Sequence, residues 1–146
     1  MRVLGESSET SWAGVEYRLA NIQAPSPELQ ALLEEVIRMS RGSVEVAIVS
    51  KPDGTPVAQV NASSVGPEYL GAAISAISGV VSAILEVMNV GDYQRIVVEL
   101  DGKRYLFIFQ YRGDVVALIT KLNPNIGFVN LLLDLYFKEG ESVEEF

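Results

Sequence analysis

The chain contains neither cysteine nor histidine, and these absences exclude several classes of function. Without cysteine there can be no disulfide, no thiolate metal site and no cysteine nucleophile. Without histidine the commonest general base and a frequent zinc ligand are also missing. The sequence has no G-x-x-x-x-G-K-[ST] or G-x-G-x-x-G motif for phosphates, and no carboxylate pair placed for acid and base catalysis. We therefore expect no catalytic residues, no metal site and no cofactor, and hence no enzymatic activity.

Basic side chains are also scarce. The chain has 11 Lys and Arg against 19 Asp and Glu, which gives a net charge of -8 and a pI near 4.5. Nucleic acids attract clustered Lys and Arg, so nucleic acid is not an expected partner. The N-terminus has no apolar run behind basic residues, so no secretory signal is visible and we expect the protein in the cytoplasm.

The length of 146 residues and the hydrophobic content of 49% fit one domain with its own core. Helical and strand periodicity runs from residue 26 to residue 138. We therefore expect a domain at 26–138, preceded by an N-terminal arm at 1–25 and followed by an acidic C-terminal tail at 139–146.

The pattern of apolar residues, caps and turns predicts three helices and five strands. Ser26 followed by Pro27 is typical of a helix start, and Gly42 can end that helix in a left-handed conformation. In chain order we predict a helix from Pro27 up to Gly42, strands at 43–50 and 56–63, a long helix at 67–89, strands at 94–100, 103–110 and 115–120, and a helix at 124–138.

The order α-β-β-α-β-β-β-α contains no βαβ repetition, so we expect an α+β domain with one antiparallel sheet. Two of its strands, YLFIF and VVALI, are apolar on both faces. An antiparallel strand needs this only when helices cover both sides of its sheet.

The long helix contains an uncharged run, YLGAAISAISGVVSAIL, at residues 69–85. This run is shorter than the roughly 20 apolar residues that cross a membrane, and many of its residues are Ala, Gly or Ser. We therefore expect no membrane insertion.

At 100° per residue the long helix has three different faces. The larger apolar side chains form a stripe that suits packing on a sheet. A second face is polar or very small, and a third consists mainly of small apolar side chains. The polar face includes Ser75, Ser78, Gly79, Ser82 and Glu86, and the small apolar face includes Ala72, Ala76, Val80, Ala83 and Val87.

The small apolar face needs a cover, because it would otherwise expose on the order of several hundred Å² of contiguous apolar surface. Strand 94–100 has a half-polar pattern typical of a sheet edge, with Arg95, Val97 and Glu99 on one side. A second copy of the chain would cover both features. The alternative is that the first or last helix of the same chain covers the helix face.

The element order and two sequence stretches resemble the Roadblock (dynein light-chain) family. The stretches are AIVSKPDGTPVAQVN, after the first helix, and RIVVELDGKRYLFIFQYRGDVVALITKLNPNIGFV, which leads into the last helix. The resemblance spans about residues 27–138. It implies a five-stranded antiparallel sheet with the long helix on one face and the two shorter helices on the other.

Members of this family are typically homodimers or paired heterodimers, joined through the third strand with their long helices side by side. For this chain the resemblance implies a homodimer interface at Ala72, Ala76, Val80, Ala83, Val87, Arg95, Val97 and Glu99.

Roadblock proteins are generally non-enzymatic regulators or scaffolds for Ras-like small GTPases. The resemblance implies that such a GTPase would dock on the paired long helices, at Ser75, Ser78, Gly79, Ser82 and Glu86. A solvated serine face remains the alternative for these residues. For the whole chain, the alternatives are a small-ligand sensor of profilin-like fold and an assembly subunit without a GTPase partner.

Overall fold

A computed structural model describes residues 26–138; the N-terminal arm at 1–25 and the acidic tail at 139–146 lie outside the described residues. In this part of the chain there are three α-helices and five β-strands. They are α1 (Pro27–Met39), β1 (Val44–Ser50), β2 (Pro56–Val60), α2 (Pro67–Val87), β3 (Ile96–Glu99), β4 (Tyr105–Tyr111), β5 (Asp114–Thr120) and α3 (Ile126–Tyr136). The predicted order is confirmed.

The helix ends follow from their capping residues. The Ser26 hydroxyl oxygen accepts the N–H of Leu29 at 3.2 Å, as predicted for the start of α1. Helix α3 begins two residues later than predicted, because the Asn125 side chain accepts the N–H of Phe128 at 3.1 Å and takes the capping position. Helix α2 ends at Val87, short of Asn89, whose φ of 60° is left-handed.

The five strands form one sheet in the order β2-β1-β5-β4-β3, and every neighbouring pair is antiparallel. Strands β2 and β3 are therefore the two edges. The edge position predicted for the third strand is confirmed, but the strand has four residues instead of seven. It starts late because Asp92 and Tyr93, just before it, are held against α2, as described below.

Helices α1 and α3 cover one face of the sheet, and α2 lies on the other, so the predicted fold class is confirmed. On the first face, Leu33 of α1 and Val129 and Leu133 of α3 are fully or almost fully buried in one core cluster with Phe107 and Leu118. On the second face, Ile74 of α2 is buried in a smaller cluster with the strand residues Ile48, Ile108, Val115 and Ala117. Adjacent residues of β4 and β5 thus enter different cores, which explains why both strands are apolar throughout.

Candidate interaction surface

The inner side of α2 carries small residues where the turn between β1 and β2 approaches the helix. A Cβ on Gly71 would lie 2.4 Å from the Ser50 hydroxyl oxygen and 2.6 Å from the Gly54 carbonyl oxygen. One turn further along α2, the Ser75 hydroxyl donates to the carbonyl of Lys51 at 2.8 Å. Glycine and serine are therefore needed here for contact between the helix and the chain's own hairpin.

The same side of α2 also holds the loop that leads into β3. The hydroxyl oxygens of Ser78 and Tyr93 lie 2.7 Å apart, and the Ser82 hydroxyl donates to Asp92 Oδ1 at 2.9 Å. Asp92 also accepts bonds from Gln110 Nε2 at 3.0 Å and from the Tyr93 N–H at 2.8 Å. The bond from Gln110 is the largest cause that lowers the pKa of Asp92, and the bonds from Tyr93 and Ser82 act in the same direction. This network fixes the start of the edge strand to the long helix.

The residues predicted to dock a GTPase differ in how accessible they are. Ser75 and Ser78 are buried, at 8% and 5% exposure, so a partner cannot reach them in this structure. Ser82 is half-buried, whereas Gly79 and Glu86 are exposed. The sequence shows that this face permits close approach, but the chain's own turn and loop are what approach it. The role of Ser82, Gly79 and Glu86 stays a prediction.

The small apolar face of α2 points away from the sheet. Tyr69, Val80 and Val87 are 84%, 59% and 86% exposed, and the alanines of this face are exposed as well. The members of this outer face are Tyr69, Ala72, Ala73, Ala76, Val80, Ala83 and Val87. Because α1 and α3 pack on the opposite side of the sheet, no helix within residues 26–138 covers it.

The C-terminal half of α2 exposes more apolar surface than the sequence predicts. Ile84 and Met88 belong to the stripe expected on the sheet, yet they are 52% and 62% exposed. Val90, in the loop that follows, is 52% exposed. The uncovered apolar surface is therefore widest at the end of α2 that Ser78 and Ser82 tie to the start of β3.

The edge strand β3 exposes one apolar side chain, that of Val97, whereas Arg95, just before the strand, bonds to α3. Val97 is 51% exposed, and Glu99 is exposed too. Arg95, just before the strand, instead donates to Asn130 at 2.6 Å and forms a 2.7 Å ion pair with Asp134, both on α3. Of the predicted interface residues on this strand, Arg95 is thus already engaged within the chain.

Helix α2 is long and apolar enough to cross a membrane when judged by length and composition alone. The helix has 21 residues and is longer than the uncharged run at 69–85. Its length therefore does not exclude a membrane span, contrary to the expectation from the sequence. The helix nevertheless buries Ile74 in a core cluster and bonds the hairpin and the β3 loop through Ser75 and Ser78. Insertion in a bilayer would require these contacts to break.

A cleft of about 240 Å³ lies between α1 and the turn that joins β4 to β5. Burial raises the pKa of Asp114 in its wall. The cleft is lined by Ser26, Glu28, Leu29, Leu32, Tyr111, Arg112 and Asp114. Its lining mixes charged and apolar side chains, and it is not the apolar pocket with convergent polar groups that a ligand sensor would need. Within residues 26–138 no group of three or more acidic side chains is placed to hold a metal ion.

Several solved structures share this arrangement of helices and strands. Myxococcus xanthus MglB superposes with a TM-score of 0.71 at 11% identity, over 82% of this chain and 97% of that one. The Roadblock/LC7 domain from Streptomyces avermitilis gives a TM-score of 0.67 at 16% identity, over 80% and 98% of the two chains. The chain has the Roadblock fold. The gliding protein MglB from Thermus thermophilus is also similar, with a TM-score of 0.62 at 14% identity over 80% and 90% of the chains.

The solved structures establish the Roadblock fold that the sequence stretches resemble. No protein-family model and no curated protein sequence matches the chain. At identities this low the likeness establishes the fold alone, and the assignment of function depends on the surfaces that this fold leaves uncovered.

Proposed function

We propose that the protein is a non-enzymatic homodimeric regulator or scaffold that binds a Ras-like small GTPase. The observation that carries this proposal is that one loop joins two uncovered features. The outer face of α2 is apolar and exposed, and the free edge of β3 begins where Ser78 and Ser82 hold the loop after α2. Two copies that pair through β3 would bring both features together.

The energy of such a contact favours association. Covering about 400 Å² of apolar surface on each of two chains, at roughly 25 cal/mol per Å², releases on the order of 20 kcal/mol before costs. Association costs about 4–15 kcal/mol in lost rigid-body freedom. The apolar surface of α2 is therefore large enough in principle to support a stable dimer.

The GTPase part of the proposal comes from the Roadblock resemblance, which the fold supports. Paired α2 helices would form a continuous platform, and Gly79 and Glu86 are the predicted docking residues that stay accessible on it. Small residues such as Gly79 let the side chains of a partner reach the helix backbone. We place this binding in the cytoplasm, and the chain's role would be to position or regulate the GTPase, not to hydrolyse nucleotide itself.

The dimer is tested first, by light scattering of the purified protein. We expect a mass of twice 15.9 kDa for the wild-type chain. Ala76→Arg puts a charge at the centre of the outer α2 face, and we expect it to return the mass to one chain. Ala31→Arg is the matched control, because Ala31 is an exposed alanine on α1, on the other side of the sheet. A wild-type monomer would contradict the dimer.

The GTPase is tested second, with a Ras-like GTPase from the same genome loaded with GDP or with a non-hydrolysable GTP analogue. We expect co-elution on gel filtration with one nucleotide state, lost in Glu86→Arg and kept in Glu28→Arg, an exposed glutamate on α1 on the other side of the sheet. Absence of binding in both states would favour an assembly subunit without a GTPase. Co-flotation with liposomes, lost in Ala76→Arg, would instead favour membrane association of α2.

A further inference from the structure

The two edges of the sheet are unequal, because α1 is bonded along β2. The backbone N–H of Ser26 donates to the carbonyl of Val57 at 3.0 Å. Gln30, one turn into α1, bonds the backbone of Gln59 twice: its Oε1 accepts the Gln59 N–H at 3.1 Å, and its Nε2 donates to the Gln59 carbonyl at 2.8 Å. Helix α1 thus occupies backbone groups that β2 turns away from β1.

The Gln30 amide reproduces the bonding of a neighbouring strand. In an antiparallel ladder a hydrogen-bonded residue exchanges one N–H bond and one C=O bond with the residue opposite. Gln30 supplies both partners from one side chain, so a strand from another molecule could bond Gln59 only by displacing it. The side chain of Gln59 is itself fixed, since its Oε1 accepts the N–H of Ala62 at 2.9 Å.

The other edge has no such guard within residues 26–138. The residues of β3, Ile96–Glu99, form ladder pairs with β4, and no other described residue bonds their backbone. A sheet with two open edges can add copies without limit, whereas a sheet with one open edge can pair only once.

We propose that Gln30 closes the β2 edge against a second copy of the chain, so that assembly through sheet edges stops at two copies. This rests on the proposed function for the pairing through β3. Gln30 would then be the residue that separates a closed dimer from an open-ended array of sheets.

The test exchanges two neighbouring residues of α1. The double variant Gln30→Ala, Ala31→Gln keeps composition, charge and helix length, but it moves the amide to an exposed position. Ala31→Gln alone, with Gln30 in place, is the control. Masses are measured by light scattering over a range of protein concentrations, and circular dichroism checks the fold. Gln30→Met, which keeps the side-chain length, replaces the double variant if that one does not fold.

We expect two chains per particle for the wild type and the control, and for the double variant a mass that at least doubles and rises with concentration. A folded double variant with the wild-type mass overturns the inference and leaves the dimer proposal intact. If the wild type has the mass of one chain, the dimer proposal fails, and the double variant alone decides the inference. In that case the double variant has a mass of two or more chains if Gln30 closes the β2 edge, and the mass of one chain if Gln30 does not.

Discussion

The hydroxyl oxygen of Ser78 lies 2.7 Å from the phenol oxygen of Tyr93, and this contact joins the long helix to the loop before the edge strand. Ser78 is buried at 5% exposure, so water cannot readily replace its partner. Ser78 was predicted to dock a GTPase, but in the structure its hydroxyl bonds another part of the same chain. The contact thereby fixes the loop that leads from α2 into β3.

We expect Ser78→Ala and Tyr93→Phe each to lower the free energy of unfolding by about 0.5–1.5 kcal/mol, because each removes one hydrogen bond. Urea denaturation in the Ala76→Arg background measures this without a contribution from association. The double variant should cost clearly less than the sum of the two single changes, since both remove the same bond. Full additivity would show that the two hydroxyls do not interact.

Gly71 and Gly79 lie on the same helix and make a matched pair. A Cβ at Gly71 would meet the Ser50 hydroxyl oxygen at 2.4 Å and the Gly54 carbonyl at 2.6 Å, whereas at Gly79 it would meet nothing within 4 Å. We expect Gly71→Ala to destabilise the fold by about 1–3 kcal/mol through steric strain. Gly79→Ala should stabilise it by up to about 1 kcal/mol, because alanine favours the helix. Equal effects in urea denaturation would refute the close approach at Gly71.

The hydrogen bonds to Asp92 make its contribution to stability depend on pH. Their effect is to lower the pKa in the folded state, so the contribution is complete above the ordinary aspartate pKa of about 3.9 and is lost as pH falls through the folded value. We expect the melting temperature of Asp92→Ala to lie below that of the wild type by a constant amount above about pH 5, with the difference shrinking below about pH 4.

Asp53 provides the control for this titration. Its pKa is also lowered, chiefly by the N–H of Thr55, which donates to Asp53 Oδ1 at 2.9 Å. Asp53→Ala should therefore show the same direction of pH dependence. Only Asp92→Ala should speed hydrogen exchange of the β3 amides, because Asp53 lies in the turn between β1 and β2. If the β3 amides exchange at the wild-type rate in both variants, Asp92 does not hold the edge strand.

Arg95 connects the start of β3 to α3, and its bonds to Asp134 and Asn130 should contribute different amounts to the free energy of unfolding. Its ion pair with Asp134 involves a carboxylate whose side chain is 66% exposed, so Asp134→Ala should cost less than about 1 kcal/mol and nothing at high salt. The bond to Asn130 is 2.6 Å and half-buried, and Asn130→Ala should cost about 1–2 kcal/mol at any salt concentration. Urea denaturation at low and high salt separates the two. A salt-dependent loss in Asn130→Ala would contradict this assignment.

The element order follows from the sequence because it depends on local patterns. Ser26 with Pro27 sets the start of α1 through a cap that needs only the next three residues. Strands β4 and β5 are apolar on both faces, and this pattern alone predicts helices on both sides of the sheet. The Roadblock resemblance then supplied the topology, and the fold agrees with it.

The candidate surface could be predicted only in part. The outward exposure of Ala76 and Val87 agrees with the small apolar face found in the sequence. The sequence did not predict that Ser75 and Ser78 point inward. A small polar residue on a helix allows another segment to pack closely, but it does not show whether that segment belongs to a partner or to the same chain. One residue could have indicated the inward position of Ser78, namely Tyr93, which carries a hydroxyl in the short loop after α2. The local sequence does not show that this hydroxyl meets a serine in the helix before it.

By itself, the sequence determined the helices, the strands and the excess apolar surface of α2, since side-chain periodicity is a property of neighbouring residues. Only the tertiary structure decided that the chain's own hairpin and the loop before β3 cover the serine side of α2, and that α1 closes the β2 edge of the sheet while the β3 edge stays open. Those choices depend on residues far apart in the chain, such as Gln30 with Gln59 and Ser78 with Tyr93, whose contacts exist only after the strands have paired and the helices have packed.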